Sequence, residues 1–158
     1  MEVTVRSARL TDVDAAVRVM TRSGQDRESE RQDADRLRHL LFIPAATVVV
    51  AIAERRLMGV GILSIRPSVR PGSFVGVIDE LGLVPENGEE GDSQAADAAL
   101  RGEAASRMLD QLIASARNKG CSRVDVIDPL ASAEPALLER AGFELRGALL
   151  SRAIGLIG

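Results

Sequence analysis

Valines alternate with polar residues in "EVTVRSA" (Glu2 to Ala8), which predicts a strand. The period then lengthens, because Val13, Ala16, Val17 and Met20 fall at helical spacing in "TDVDAAVRVM". Thr11, followed three residues later by Asp14, predicts a reciprocal cap for that helix. "TRSGQDRESERQDAD" is polar throughout and reads as a loop or the solvated start of a helix, whose continuation carries Ala34, Leu37, Leu40 and Leu41 before Pro44 stops it. Two β-branched runs, "ATVVVAIA" and "LMGVGILSI", are separated only by "ERR", so a hairpin is expected. After the Pro/Gly loop "RPSVRPGS", "FVGVIDELGLV" predicts a third strong strand, closed by Pro85.

The next segment, "ENGEEGDSQAADAAL", is acidic and then alanine-rich with no strand signal, and reads as a loop insertion over residues 86–100. Ala105, Met108, Leu109, Leu112 and Ala116 mark a helix that Lys119 and Gly120 bring to an end. "RVDVID" predicts a short strand. Ser132 is placed to cap a helix through "PALLERA", Gly142 to end it, and "FELRGALLSRAIGLIG" to supply one or two closing strands. Antiparallel strands followed by strand-helix-strand define an α/β class: a mixed, mostly antiparallel sheet with helices on both faces. No repeat or low-complexity linker divides the chain, so residues 1–158 are expected to form a single domain.

Composition narrows the function classes. A chain of 158 residues with 46% hydrophobic content can bury one core. The net charge is −3 and no long Lys/Arg run is present, so no nucleic-acid partner is expected. A single cysteine, Cys121, excludes an internal disulfide, and with a single histidine it argues against a zinc site, so no metal is expected. No apolar run approaches the ~20 residues of a membrane span, and the N-terminus lacks the basic start and apolar core of a signal peptide. The expectation is a cytoplasmic protein with no membrane partner.

Four segments, in order, resemble the GNAT superfamily of acetyl-CoA-dependent N-acetyltransferases. "VRSARLTDVDAAVRVM" resembles the family's opening strand and helix, with Arg6, Ala8 and Asp12 at the recurrent spacing. "RRLMGVGIL" resembles the strand that carries a glycine after a short charged turn, here Gly59. "DELGLVPE" resembles the fourth-strand segment leading to the pyrophosphate loop, and "ALLERAGF" the helix before the closing strands. The resemblance covers Val3 to Phe143 and implies acetyl-CoA as cosubstrate.

In that family a turn of the pattern Gln/Arg, two variable residues, Gly, a variable residue and Gly/Ala cradles the pyrophosphate at a helix N-terminus, where free N–H groups and the dipole favour anions. The best match is Arg101, Gly102, Glu103, Ala104, Ala105 and Ser106, with Ala104 and Ser106 at positions that want small, flexible residues. Two alternatives stay open. "NGEEGDS" directly follows "DELGLVPE" and offers Gly91, and the other alternative is that residues 93–119 are one long solvent-facing helix capped by Ser93. In that helix Gly102 costs only ~1 kcal/mol.

The resemblance places Glu80 at the family's frequent general-base position, with Asp79 on the opposite face of a regular strand. It also assigns the backbone of Leu81, Gly82 and Leu83 to pairing with pantetheine and polarising the thioester, and Gly82 suits a close approach or a bulge. The family's usual tyrosine acid falls on Leu138, its asparagine on Ala131, and the chain has no tyrosine. Ser132 and Cys121 are alternative donors, though Cys121 suits packing better, and His39 reads as a surface or packing residue. The implied activity is acetyl transfer from acetyl-CoA to a small-molecule or peptide primary amine by direct attack. The competing readings are a GNAT-fold protein that binds acyl-CoA or a protein partner without transfer, and a structural domain that has lost the nucleotide site. The apolar ending "ALLSRAIGLIG" is expected to cover an edge or join a second copy in a homodimer.

Overall fold

The computed structural model describes residues 2–20, 26–69, 73–84, 92–127, 134–147 and 150–154, without the side chains of 92–95. In chain order the elements are β1 (Thr4–Ser7), a 3₁₀ turn (Leu10–Asp12), α1 (Val13–Met20), α2 (Arg27–Leu40), β2 (Ala46–Ala53), β3 (Arg56–Pro67), β4 (Phe74–Leu83), α3 (Asp92–Asn118), β5 (Cys121–Val126) and α4 (Pro135–Arg140). The strands form one sheet in sequence order, antiparallel from β1 to β4, with β5 parallel to β4. The parallel step follows from the connection, since α3 is the crossover that returns the chain in the same direction.

Strand alternation sends side chains to two cores. Val48, Val50, Val60 and Ile62 meet Val13, Val17, Ala34 and Leu37 of α1 and α2 on one face. On the other face Val49, Ala51, Leu63 and Ile78 meet Met108, Leu109 and Leu112 of α3 and Leu137 and Leu138 of α4. The expected mixed sheet with helices on both faces is the observed one.

Local chemistry explains several boundaries. Asp26 caps α2 by accepting the Ser29 N–H at 2.8 Å, so the polar stretch is helix from Arg27 onward, and its residues 21–25 lie outside the described ones. Glu54 and Arg55 both take positive φ (51° and 63°), the two-residue turn that matches the twist of the β2–β3 hairpin. After α4, Gly142 (φ 91°) lets Phe143 N–H reach Leu138 O at 3.0 Å and its own N–H reach Glu139 O, a Schellman closure.

The cap expected from Thr11 and Asp14 is built instead around Asp12. Arg6 donates to both oxygens of Asp12 at 2.7 and 3.0 Å, and Arg9 N–H donates at 2.7 Å. The Arg6 hydrogen bond, helped by that N–H and opposed by desolvation, holds the Asp12 carboxyl below the usual carboxylate range. A depressed folded pKa stabilises above the unfolded value near ~4, and the contribution is lost as pH falls toward the folded value. Asp12→Asn is therefore expected to cost about 2 kcal/mol at pH 7. In thermal melts the gap between variant and parent should narrow below about pH 4.

Three expectations need correction. Residues 92–100, read as part of a loop, are the first turns of α3, while 86–91 lie outside the described residues. The reason is packing: Leu100, Ala104, Met108, Leu112 and Ala116 recur every fourth residue, and all but the half-buried Leu100 are fully buried against the sheet. The bulge in β4 falls at Asp79 rather than Gly82, because Glu80 faces Ile62 and Ile78 faces Leu63. The closing strands are absent among the described residues: 143–147 and 150–154 are irregular, and Leu145, Leu150 and Ile154 are 86–96% exposed.

Candidate active site

The geometry of interest is where β4 and β5 part. Their pairing runs from Phe74↔Cys121 to Ile78↔Val126 and stops. Among the described residues no strand pairs with Asp79–Leu83 on that edge, although β3 continues to pair with β4 on the other. Val84 N–H donates to Met58 O on β3 at 2.8 Å, so alternation turns the amides of Leu81 and Leu83 toward the open edge and that of Gly82 toward β3. Of the three backbone groups expected at the site, two face the gap.

The bulge also settles where the carboxylates stand. Ile78 and Leu81 both pack in the α3-side core although they are three residues apart, an odd step that a regular strand forbids. Asp79 absorbs the extra residue. Its carboxylate is hydrogen-bonded by the hydroxyl of Ser64, which alternation in β3 places on the face of Val60 and Ile62, looking toward α1 and α2. Glu80 lies opposite Ile62, two residues from Gly82, whose missing side chain leaves room for Val19 of α1. Asp79 thus shares the Glu80 face, contrary to the regular-strand expectation. Both carboxylates are exposed.

The preferred match for the diphosphate turn runs as helix, and the "NGEEGDS" alternative lies outside the described residues up to Gly91. Arg101 to Ser106 lie inside the 27-residue helix α3. Their N–H groups serve the helix's own hydrogen bonds, and Ala104 and Ala105 are 0% and 5% exposed against the sheet. Arg101 Nε donates to Val84 O at 2.8 Å, and Arg107, paired with Glu103 at 3.1 Å, donates to Val3 O at 2.8 Å. A diphosphate does not fit residues 101–106, because a helix interior offers it no free donors. The chain takes the long-helix course of the alternative, but from Asp92 and with one face buried on the sheet rather than solvent-facing. The pattern that reveals it, the four-residue spacing from Leu100 to Ala116, is present in the sequence.

The remaining candidates separate from the gap. Leu138, at the family's acid position, is 6% exposed and belongs to the core. Cys121 lies at the opposite end of the β4–β5 pairing, about 17 Å from Val126, and burial pushes its thiol pKa up, with Lys119 acting against that. His39 is exposed on α2, with Nδ1 2.9 Å from Asp35 O. Ala131 and Ser132 lie outside the described residues. The open groove between α1 and α2 holds Arg38, whose charge is met by Asp35 at 2.8 Å and Asp14 at 3.6 Å. Among the described residues no helix is long and apolar enough to cross a membrane.

No protein-family model and no curated protein matches the sequence. Solved structures do match in shape. A transcriptional regulator from Bacillus halodurans superposes with a TM-score of 0.75 at 17% identity, covering 97% of this chain and 100% of that one. The aminoglycoside 6′-N-acetyltransferase of Acinetobacter haemolyticus gives 0.73 at 16% identity, with 97% and 99% covered. A predicted acetyltransferase from Clostridium acetobutylicum, solved with acetyl-CoA, gives 0.68 at 13% identity, with 96% of each chain covered. The fold is the one these solved acetyltransferases share.

Proposed function

We propose that this chain transfers an acyl group, in the first instance acetyl, from a thioester donor to a primary amine, with Glu80 as general base. The observation that carries the reading is the parting of β4 from β5 beside a bulge that turns Glu80 to the α1 face. The thioester supplies an activated carbonyl and a thiolate leaving group. Leu81 and Leu83 direct amides to the edge where such a carbonyl would lie, and N–H donors there stabilise oxygen as it gathers negative charge. Glu80 takes the proton that the attacking amine must lose as the C–N bond forms and the C–S bond breaks. With Leu138 in place of an acid, the departing thiolate takes its proton from water, which a thiol of pKa ~8.5 permits. The matched structures support this choice of substrates: one is a 6′-N-acetyltransferase of aminoglycosides and another contains acetyl-CoA.

A second reading, binding of an acyl donor or a protein partner without transfer, is favoured by the burial of Leu138 and the helical course of Arg101 to Ser106. Incubation with acetyl-CoA and a panel of small and peptide amines, following release of free thiol, decides between them. Thiol release that requires both amine and protein is the expected result. Donor binding with no release for any amine establishes the second reading.

A further inference from the structure

We propose that Arg101 is a positioning residue for acyl transfer: through the Val84 carbonyl it fixes the end of β4, so that the Leu83 amide is aimed at the thioester. The inference rests on the acyltransferase reading of β4. Val84 is gripped by two elements at once. Its N–H donates to Met58 O on β3 at 2.8 Å, and its carbonyl accepts from Arg101 Nε on α3 at 2.8 Å. Beyond Ile78 the ladder holds β4 from the β3 side, where Gly82 faces Val60 and Leu83 faces Gly59. A strand end held along one edge opens more readily than a strand centre, and a bond from a helix packed on the sheet opposes that opening. Leu83 is the residue before this anchor, and its amide is one of the two turned toward the gap. A donor stabilises a developing oxyanion well only when it is aimed before the reaction begins.

Small residues put Arg101 within reach. Leu100 and Ala104 lie on the core face of α3, so Arg101 stands at the margin of that face, half-buried. The helix lies close on the sheet above Gly59 and Gly61, where an added Cβ would stand 2.7 Å from Met108 Cε and 3.0 Å from Leu112 Cδ1. That closeness brings a guanidinium on the margin to the β4 backbone, and its bond to a carbonyl is charge-assisted and stronger than a neutral one. Further along α3, Arg107 makes a bond of the same kind to Val3 O at 2.8 Å, at the start of β1. Both arginines fasten α3 to the sheet, but only Arg101 does so next to the candidate site.

The test compares Arg101→Met, Arg101→Lys and Arg107→Met in the full chain, at a temperature where melting curves show each of them folded. Two donors are used, acetyl-CoA and S-acetyl-pantetheine, which carries the same thioester without a diphosphate. Arg101→Met is expected to lower kcat about tenfold with both donors and to leave KM for the amine within about twofold. Arg101→Lys, whose ammonium can donate to the same carbonyl, should recover most of that loss. Arg107→Met removes a similar bond and the Glu103 pair as well, so it should lower the melting midpoint yet leave kcat within about twofold. Amide exchange reads the geometry directly: the Val84 N–H should exchange about tenfold faster in Arg101→Met, and that of the buried Val60 at an unchanged rate. A loss confined to acetyl-CoA would make Arg101 a ligand of the nucleotide half and overturns the inference. So does an unchanged kcat or Val84 exchange rate in Arg101→Met, or an equal fall of kcat in Arg107→Met. In all of these cases the parent turns over and the acyltransferase reading stands. A parent that releases no thiol with any amine overturns that reading and the inference together.

Discussion

Glu80→Gln is expected to lower kcat for acetyl transfer about a hundredfold while leaving donor binding within about twofold. Gln keeps the size and most of the polarity of Glu but cannot take a proton from an ammonium. The loss therefore falls on the step in which the amine becomes nucleophilic. Glu80 stands on β4 beyond its pairing with β5, and its partner residue across the β3–β4 ladder is the buried Ile62. Asp79→Asn is the control, since the Asp79 carboxylate is hydrogen-bonded by Ser64 and acts as part of the bulge. Its effect on kcat should be several-fold smaller than that of Glu80→Gln. With the base removed, the residual rate should climb with pH until the free amine deprotonates unaided. Stopped assays of thiol release across pH 6–10, roughly the range in which amines titrate, separate the outcomes. Equal kcat in Glu80→Gln and parent would remove Glu80 from the mechanism.

Gly59→Ala is expected to destabilise the protein by about 2 kcal/mol, read as a lower urea midpoint with an unchanged slope. A Cβ at Gly59 would stand 2.7 Å from Met108 Cε, 2.8 Å from Gly82 O and 3.0 Å from Leu83 Cδ2. The methionine end can swing away. The Gly82 carbonyl belongs to the β4 backbone and cannot move without opening the β3–β4 ladder beside the candidate site, so acetyl transfer should weaken together with stability. Gly102→Ala is the opposite case. That glycine is surrounded by open space in a helix interior, where alanine should stabilise by about 1 kcal/mol. One substitution chemistry with opposite signs at two positions is a direct check on the packing of α3 over β3.

Much of the fold was legible because each of those elements announces itself locally. The alternation of "EVTVRSA", the β-branched runs on either side of "ERR", and the glycines after "ARNK" and "LLERA" each act over a few residues, and β1, the β2–β3 hairpin and the ends of α3 and α4 follow them. The start of α3 was ambiguous for a definite reason. The cost of Gly102 in a helix is about as small as the preference of a Gly/Ala stretch for a turn, so propensity alone cannot choose. Burial chooses, because Ala104 and Ala105 gain a core position only if the helix runs through them. The apolar tail misled in the other direction. Its β-like pattern predicts strands, but Leu145, Leu150 and Ile154 stay exposed and pair with nothing among the described residues.

The site divides along the same line. Two adjacent polar residues, Asp79 and Glu80, interrupt an otherwise apolar strand, and the resemblance singles out Glu80 as the candidate base. Whether they share a face depends on the register of β4 against β3, a long-range pairing that carries no local sequence cost and so leaves no local trace. By itself the sequence determined the identity and order of the secondary elements through Gly142, because periodicity and turn chemistry are properties of neighbouring residues. Only the tertiary structure decided that the bulge turns Asp79 and Glu80 to one face. It alone also decided that β5 leaves Leu81 and Leu83 open at the edge, and that the stretch from Arg101 to Ser106 is a buried helix flank rather than an anion-binding turn. These depend on which surfaces the sheet offers for burial, and that is set by the whole fold.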